Sequence, residues 1–351
     1  MALPSQRNAD ETAARLGEWI ASRVDGDSIE VSLRAGPAYN GYSHETLIFD
    51  ATWGGHSRGL VARVEPSSHS IFYEQDVGAE ARVMRAMNGA GVLVPHVHWY
   101  EADPSWLGAP FVIMDHVAGR IPADNPPYTF GGWLIEATRE EQASVWWTAL
   151  EAMAVVQSVD PATPGLEELA RPKGTPGADA ELHYIREYID RVTESVAHPT
   201  MERAIGWLEA NQPTAPEPVG VCWGDSRIGN QIFDGTRCAA LLDWEMAALG
   251  NPEQDLAWFL YFDRLFSEGL MTQRPPGFAS HADTKARWTE ITGRSTDNVG
   301  FYEVLASLRF AVILMRLGQL MVWSGQLPED TDFGTNSFAM QFLAKLLDER
   351  K

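Results

Sequence analysis

Between residues 221 and 255 the chain carries three side chains whose types and spacing could do chemistry together. They are Asp225, Asn230 five residues on, and Asp243 at the end of a short apolar run. Strand-like pieces at 231–233 and 239–242 flank a turn at Asp234-Gly235. An acid and an amide enter a hairpin, a second acid leaves it, and the three can converge on one point. Two hard oxygen donors at that point suit Mg²⁺ better than a soft metal, because Mg²⁺ prefers carboxylate, carbonyl and water. Asp225, the remaining acid, is then available to accept a proton from a hydroxyl. An isolated Asp-x-x-x-x-Asn is also ordinary loop chemistry, since both residues favour turns. The strand that runs into Asp243-Trp244-Glu245 turns the balance toward a site.

The elements that must position these residues follow from periodicity. The run 59–64, ended by Pro66, alternates so that Leu60, Ala62 and Val64 share one face and Val61 and Arg63 the other. A helix around 76–88 has the apolar stripe Val77, Ala81, Met84 and Met87, and Glu80 lies within it. An inward carboxylate is costly unless paired, and Arg63 on the preceding strand is the expected partner. Upstream, a helix at 9–24 carries Leu16, Trp19, Ile20 and Val24 on one stripe. Strands at 29–33 and 47–53 flank the small-residue segment 36–46, which is either a flap presenting N–H groups to phosphates or a plain hairpin. Strands at 95–100 and 109–114 come next, the second leading into Asp115-His116-Val117-Ala118-Gly119. Residues 122–133 and 166–178 read as irregular loops. Asn251, with Pro252 at N1 and Gln254 at N3, reads as a capping box opening an apolar helix through Phe266. Further helices are expected at 281–292, 298–323 and 335–349. The first part is mostly sheet and the second mostly helix.

The segments Trp223-Gly224-Asp225-x-x-x-x-Asn230 and Leu242-Asp243-Trp244-Glu245 resemble the aminoglycoside-phosphotransferase-like family of small-molecule kinases. The resemblance covers nearly the whole chain, in order: flap, Arg63, Glu80, hinge, Asp225, Asn230, Asp243, Asp255. It implies an α+β, two-lobed protein-kinase-like fold. An antiparallel nucleotide-binding lobe would span 1–116 and a helical lobe with the catalytic loop 117–351. It implies ATP or GTP as donor, Asn230 and Asp243 as Mg²⁺ ligands, and Asp225 meeting the acceptor hydroxyl. Arg63 stands where the phosphate-gripping lysine is usual, and Ser43 is the flap residue expected at a phosphate. Met114, Asp115, His116 and Val117 form the hinge that pairs with the base. Arg227 sits where protein kinases carry a lysine that meets the γ-phosphate; as a residue it reads equally as a loop surface charge. Two departures stand out: His44 where relatives often carry Asn, and Trp223 where the family usually has His.

The formal charge, 27 − 48 = −21, argues against nucleic acid and anionic membranes and permits cationic ligands. Cys222 and Cys238 show neither metal-ligand spacing nor a disulfide framework, which fits a reducing cytoplasm. No basic segment followed by an apolar core marks the N-terminus as a signal peptide. The apolar stretch 304–323 contains Arg309 and Arg316 and reads as a buried helix. The expected activity is transfer of phosphate to a hydroxyl of a small molecule. The alternatives are a kinase-like module that binds without transferring, favoured by Arg63 and Trp223, and a hydrolase or lyase using Asp225 and Asp243 as paired acids. The acceptor and the oligomeric state are not written in the sequence.

Overall fold

The computed structural model describes residues 8–24, 29–34, 43–66, 70–73, 76–193, 197–214 and 217–350. The chain divides into two compact units, one of residues 1–89 and 94–118, the other of 90–93 and 119–351.

The first unit runs α1 (Ala9–Ala21), β1 (Glu30–Leu33), β2 (Glu45–Trp53), β3 (His56–Val64), α2 (Val77–Gly89), β4 (Val97–Glu101) and β5 (Phe111–Asp115). Its five strands form one antiparallel sheet in the order β1-β2-β3-β5-β4. Alternation sorts the faces: Phe49, Ala51, Leu60, Ala62 and Val64 join Leu16, Trp19 and Ile20 of α1 in a buried apolar core. Asn8 starts α1 by accepting the N–H groups of Asp10 and Glu11 through its side chain. In α2, Val77, Glu80, Ala81, Met84 and Met87 are all buried, so the stripe read from the sequence is the packed face. Of the expected flap, residues 36–42 lie outside the described residues.

The second unit contains α3 (Trp133–Glu136), α4 (Arg139–Gln157), α5 (Ala178–Thr193), α6 (Pro199–Ala210), β6 (Gly220–Cys222), β7 (Gln231–Asp234), β8 (Arg237–Leu241), β9 (Ala248–Gly250), α7 (Glu253–Arg264), α8 (His281–Thr292), α9 (Val299–Trp323) and α10 (Phe338–Asp348). Two small antiparallel ribbons, β6–β9 and β7–β8, are set among these helices. The apolar helix α9 is long enough to cross a membrane, yet 72% of its most apolar window is buried within the fold. Its packing partners are α7, α10, α5 and α6.

The start of α7 differs from the capping box expected. The Asn251 side chain accepts the N–H of Glu253 at 3.1 Å and donates to Glu217 at 2.8 Å. The N–H of Gln254 goes instead to the Asn251 backbone carbonyl. The helix proper begins at Glu253, so Gln254 does not stand at N3, and neither bond of a capping box forms among the described residues. Past Arg264 the helix widens into one π-helical turn, Leu265–Gly269.

Candidate active site

The two ribbons bring the predicted residues of the second unit together. Strand β6 delivers the loop 223–230, and its partner β9 delivers the start of α7, so loop and helix begin side by side. Asp255, fully buried, accepts the backbone N–H of Trp223 at 2.8 Å and of Gly224 at 2.9 Å. Ser226 donates to the Asp255 carbonyl at 2.8 Å. Burial pushes the Asp255 carboxyl up to about 6, against the pull of those two N–H donors. Gly224 adopts φ +91, and a Cβ there would collide with the Met246 carbonyl, so only glycine fits.

Within this loop the N–H of Arg227 returns to the Asp225 carbonyl at 2.9 Å and the N–H of Asn230 to the Arg227 carbonyl at 3.0 Å. Asp225 divides its oxygens. Oδ1 accepts from the indole of Trp258 at 2.7 Å and from Nε of Arg227 at 2.9 Å, while Oδ2 takes no hydrogen bond among the described residues. The Asn230 amide nitrogen donates to the Asp225 carbonyl at 3.0 Å, which commits its nitrogen and leaves its oxygen unspent among the described residues.

Hairpin β7–β8 then returns the chain to the same point. The N–H of Leu242 bonds the Asn230 carbonyl at 2.9 Å, so Asp243 emerges directly beyond Asn230. Asp243 is held at φ +56, a left-handed conformation sparsely populated by non-glycine residues and enriched at functional sites. Trp223, which departs from the histidine usual in the resembling family, donates its indole N–H to the carbonyl of Leu242 at 2.8 Å. It thereby fastens the loop to the residue preceding Asp243.

Two participants are not singled out by the sequence. Trp258 lies one turn beyond Asp255 and reads as one more apolar residue of α7. Asp255 itself closes the ordered resemblance, though the two N–H groups it receives are not foreseen. Asp124, on the irregular segment 122–133, forms an ion pair with Arg227. Arg227 is thus shared between Asp124 and Asp225, and its guanidinium lies 5.2 Å from the ring centroid of Phe262. Burial raises the Asp124 carboxyl above the usual range; Arg227 opposes this, and Asp225 and Asp243 add to it. Burial works against the Arg227 charge, but Asp124 and Asp225 outweigh it and drive the guanidinium's pKa up.

The donor set suits a hard divalent cation. The charges of Asp225 and Asp243 both reach Asp124, and the backbone bond from Leu242 to Asn230 makes Asn230 and Asp243 neighbours across the hairpin. Among the described residues no group of three or more His, Cys, Asp or Glu gathers as a metal cage. Mg²⁺ is ordinarily held by one or two protein ligands plus phosphate oxygens and water.

In the first unit, Arg63 Nη2 lies 3.5 Å from Glu80 Oε1, with the Glu80 side chain 3% exposed. Periodicity placed that pair. His44 adds a contact, its Nδ1 3.2 Å from Arg63 Nη2, and Ser43 beside it is buried. At the end of β5, Met114 is buried between β3 and β4. The N–H of Asp115 bonds the His96 carbonyl and that of His116 the Gly59 carbonyl, at 2.9 and 3.0 Å. The Val117 N–H has no partner among the described residues. The Asp115 carboxylate meets Nε2 of His98 at 2.6 Å. Burial, followed by the neighbouring Arg34 guanidinium, lowers the His116 imidazole.

Comparison with known proteins agrees with this layout. Residues 40–290 match the sequence profile described as "Phosphotransferase enzyme family". A curated relative, "Acyl-CoA dehydrogenase family member 11" of Gallus gallus, is 31% identical over 213 residues, 58% of this chain and 25% of that protein. "Acyl-CoA dehydrogenase family member 10" of Mus musculus is 31% identical over 203 residues, 57% of this chain and 18% of that protein. The chain therefore corresponds to about a quarter or less of those relatives. A crystal structure from Ralstonia eutropha, named as an aminoglycoside phosphotransferase, superposes with a TM-score of 0.72 at 22% identity, covering 96% of this chain and 98% of that one. A choline/ethanolamine kinase family protein from Mesorhizobium loti gives 0.56 at 16% identity, covering 97% and 94%. The ternary complex of aminoglycoside phosphotransferase APH(4)-Ia with AMP-PNP and hygromycin B gives 0.55 at 16% identity, covering 95% and 98%. These likenesses establish an α+β, protein-kinase-like fold with an antiparallel five-stranded sheet and a helical remainder.

Proposed function

We propose that this chain, which belongs to the phosphotransferase enzyme family, transfers the γ-phosphate of ATP to a hydroxyl of a small molecule. The observation that carries the reading is the division of labour within Asp225: Oδ1 is held by Trp258 and Arg227, and Oδ2 is left to meet a hydroxyl. Asp225 would orient the acceptor and take its proton. Asn230 and Asp243 would hold Mg²⁺, whose charge offsets that developing on the phosphate oxygens. In the first unit, Arg63, steadied by Glu80 and His44, would grip the α- and β-phosphates, with Ser43 at the flap. The Val117 N–H would pair with the base. Phosphoryl transfer has a loose transition state, so positioning and charge neutralisation supply most of the rate. A structural relative bound to AMP-PNP and hygromycin B supports both a nucleotide donor and a hydroxylated acceptor.

The acceptor is to be found by experiment. ADP release from Mg·ATP should be followed across aminoglycosides, sugars, amino alcohols and hydroxyacyl thioesters. The last class is suggested by the names of the curated relatives. Acceleration by one class above the rate with water alone is the expected result. No acceleration by any, with no binding of Mg·ATP, would overturn the reading in favour of another use of the fold.

A further inference from the structure

We infer that Asp124 and Arg227 form a clamp that fixes the orientation of Asp225, and that Asp124 is a positioning residue of the reaction although it lies 103 residues upstream of Arg227. The inference rests on the phosphotransfer reading only for its kinetic consequences. Its geometry stands within the second unit alone.

A guanidinium bonded to one carboxylate can swing with it; one bonded to two, over an aromatic face, has its plane fixed. Arg227 is in the second condition, held by Asp225 Oδ1, Asp124 Oδ2 and the ring of Phe262. The seat of Asp124 is built into the catalytic loop. Gly229 lies against it, and a Cβ at that position would run into both Asp124 carboxylate oxygens. The Asp124 side chain keeps 34% exposure, while its Oδ1 is buried and accepts no hydrogen bond among the described residues. The segment carrying Asp124 is in turn tied to the helix that carries Trp258 and Phe262. Tyr128 is buried, its N–H returns to the Ala123 carbonyl at 2.7 Å, and the Thr129 hydroxyl donates to the Phe266 carbonyl at 3.0 Å. That carbonyl belongs to the π-helical turn and also accepts from the Thr272 hydroxyl at 2.5 Å.

Charge gives the clamp its purpose. Without Asp124 the whole guanidinium charge falls on Asp225, and Arg227 competes for the Oδ2 that the acceptor hydroxyl needs. With Asp124 the charge is divided and Oδ2 stays open. On this account Arg227 keeps its two carboxylates through the reaction; as a γ-phosphate ligand it would have to leave them.

The test is a double-mutant cycle on the full chain, read as ADP release from Mg·ATP with water as acceptor. Asp124→Asn and Arg227→Gln should each lower kcat about 10- to 100-fold, and the double variant should fall no further than Arg227→Gln alone, as for residues acting as one unit. The KM for ATP should move less than about twofold, as should affinities for AMP-PNP and ADP by calorimetry. Gly229→Ala, which displaces the carboxylate while leaving every charge in place, should reproduce the Asp124→Asn loss. Multiplying effects in the double variant, or unchanged turnover in Gly229→Ala, would overturn the clamp. So would weaker AMP-PNP binding with intact ADP binding in Arg227→Gln, which would assign Arg227 to the γ-phosphate. Should the wild-type chain release no ADP with water or with any acceptor class, and bind no Mg·ATP, the phosphotransfer reading fails, and crystal structures still decide the clamp. Arg227 Nε should move off Asp225 Oδ1 in Asp124→Asn and in Gly229→Ala; an unmoved contact in both refutes it.

Discussion

A carboxylate proposed to accept a proton needs an oxygen that its scaffold does not use, and Asp225 gives its scaffold only one. Asp225→Asn keeps an oxygen for Trp258 and Arg227 but puts an amide group where a proton must be received. Turnover should drop about 10²- to 10⁴-fold, the usual worth of a positioned acid or base, while calorimetric affinity for Mg·AMP-PNP stays within about twofold. A variant that phosphorylates an identified acceptor at the wild-type rate removes Asp225 from this role. The two residues proposed to hold the metal differ in charge, and their loss should differ accordingly. Asp243→Ala should abolish the Mg²⁺ dependence of nucleotide binding, and Asn230→Ala should only weaken it. Equal, tight Mg·AMP-PNP binding in both would remove the pair from the metal site. Glu80 is legible in the sequence, because a carboxylate in an apolar helical stripe demands a partner and Arg63 lies on the preceding strand. Asp124 is not: its segment has no period, and nothing local to it reports a contact made over 103 residues.

At the scale of the element, α7 is the ruler of the site. Asp255, Trp258, Phe262 and Phe266 follow at helical spacing, and each meets the loop 223–230 or the segment bearing Asp124. Periodicity reveals an apolar helix beginning near Asp255, but not that its first carboxylate receives two N–H groups from a loop over thirty residues earlier. Long-range backbone acceptance leaves no periodic trace. Its energetic trace is a pH dependence. Burial lifts the folded Asp255 to about 6, from an ordinary value of 3.8. Its contribution to stability is then fully present below the unfolded value and is lost as pH rises through about 6, about 3 kcal/mol in all. Denaturant unfolding of wild type and Asp255→Asn from pH 4 to 7.5 should show the wild-type advantage shrinking as pH rises. An advantage that grows with pH would reverse the assignment.

For the whole molecule, the division into a sheet-rich and a helix-rich unit is readable from the switch of period along the chain, two then three-to-four. What holds the helical unit together is less so. Glu181 of α5 is buried between Arg171 and Arg309, the latter on α9. Burial works against its carboxylate, but Arg171 and Arg309 outweigh that and hold it below the usual range. Glu181→Ala would leave the buried Arg309 and the part-buried Arg171 without their shared carboxylate, a loss of about 3–5 kcal/mol. Urea unfolding should register it; a loss under about 1 kcal/mol would mean that water enters and solvates the cations.

Trp223 has a further consequence. An imidazole at that position would carry a titratable proton and could hold it on either of two nitrogens, so the seam between loop 223–230 and the hairpin could answer to acidity. An indole donates one hydrogen and has no other state. The bond from Trp223 to the Leu242 carbonyl is therefore set once, when the chain folds, and acid or alkali that leaves the fold intact has no proton there to add or remove.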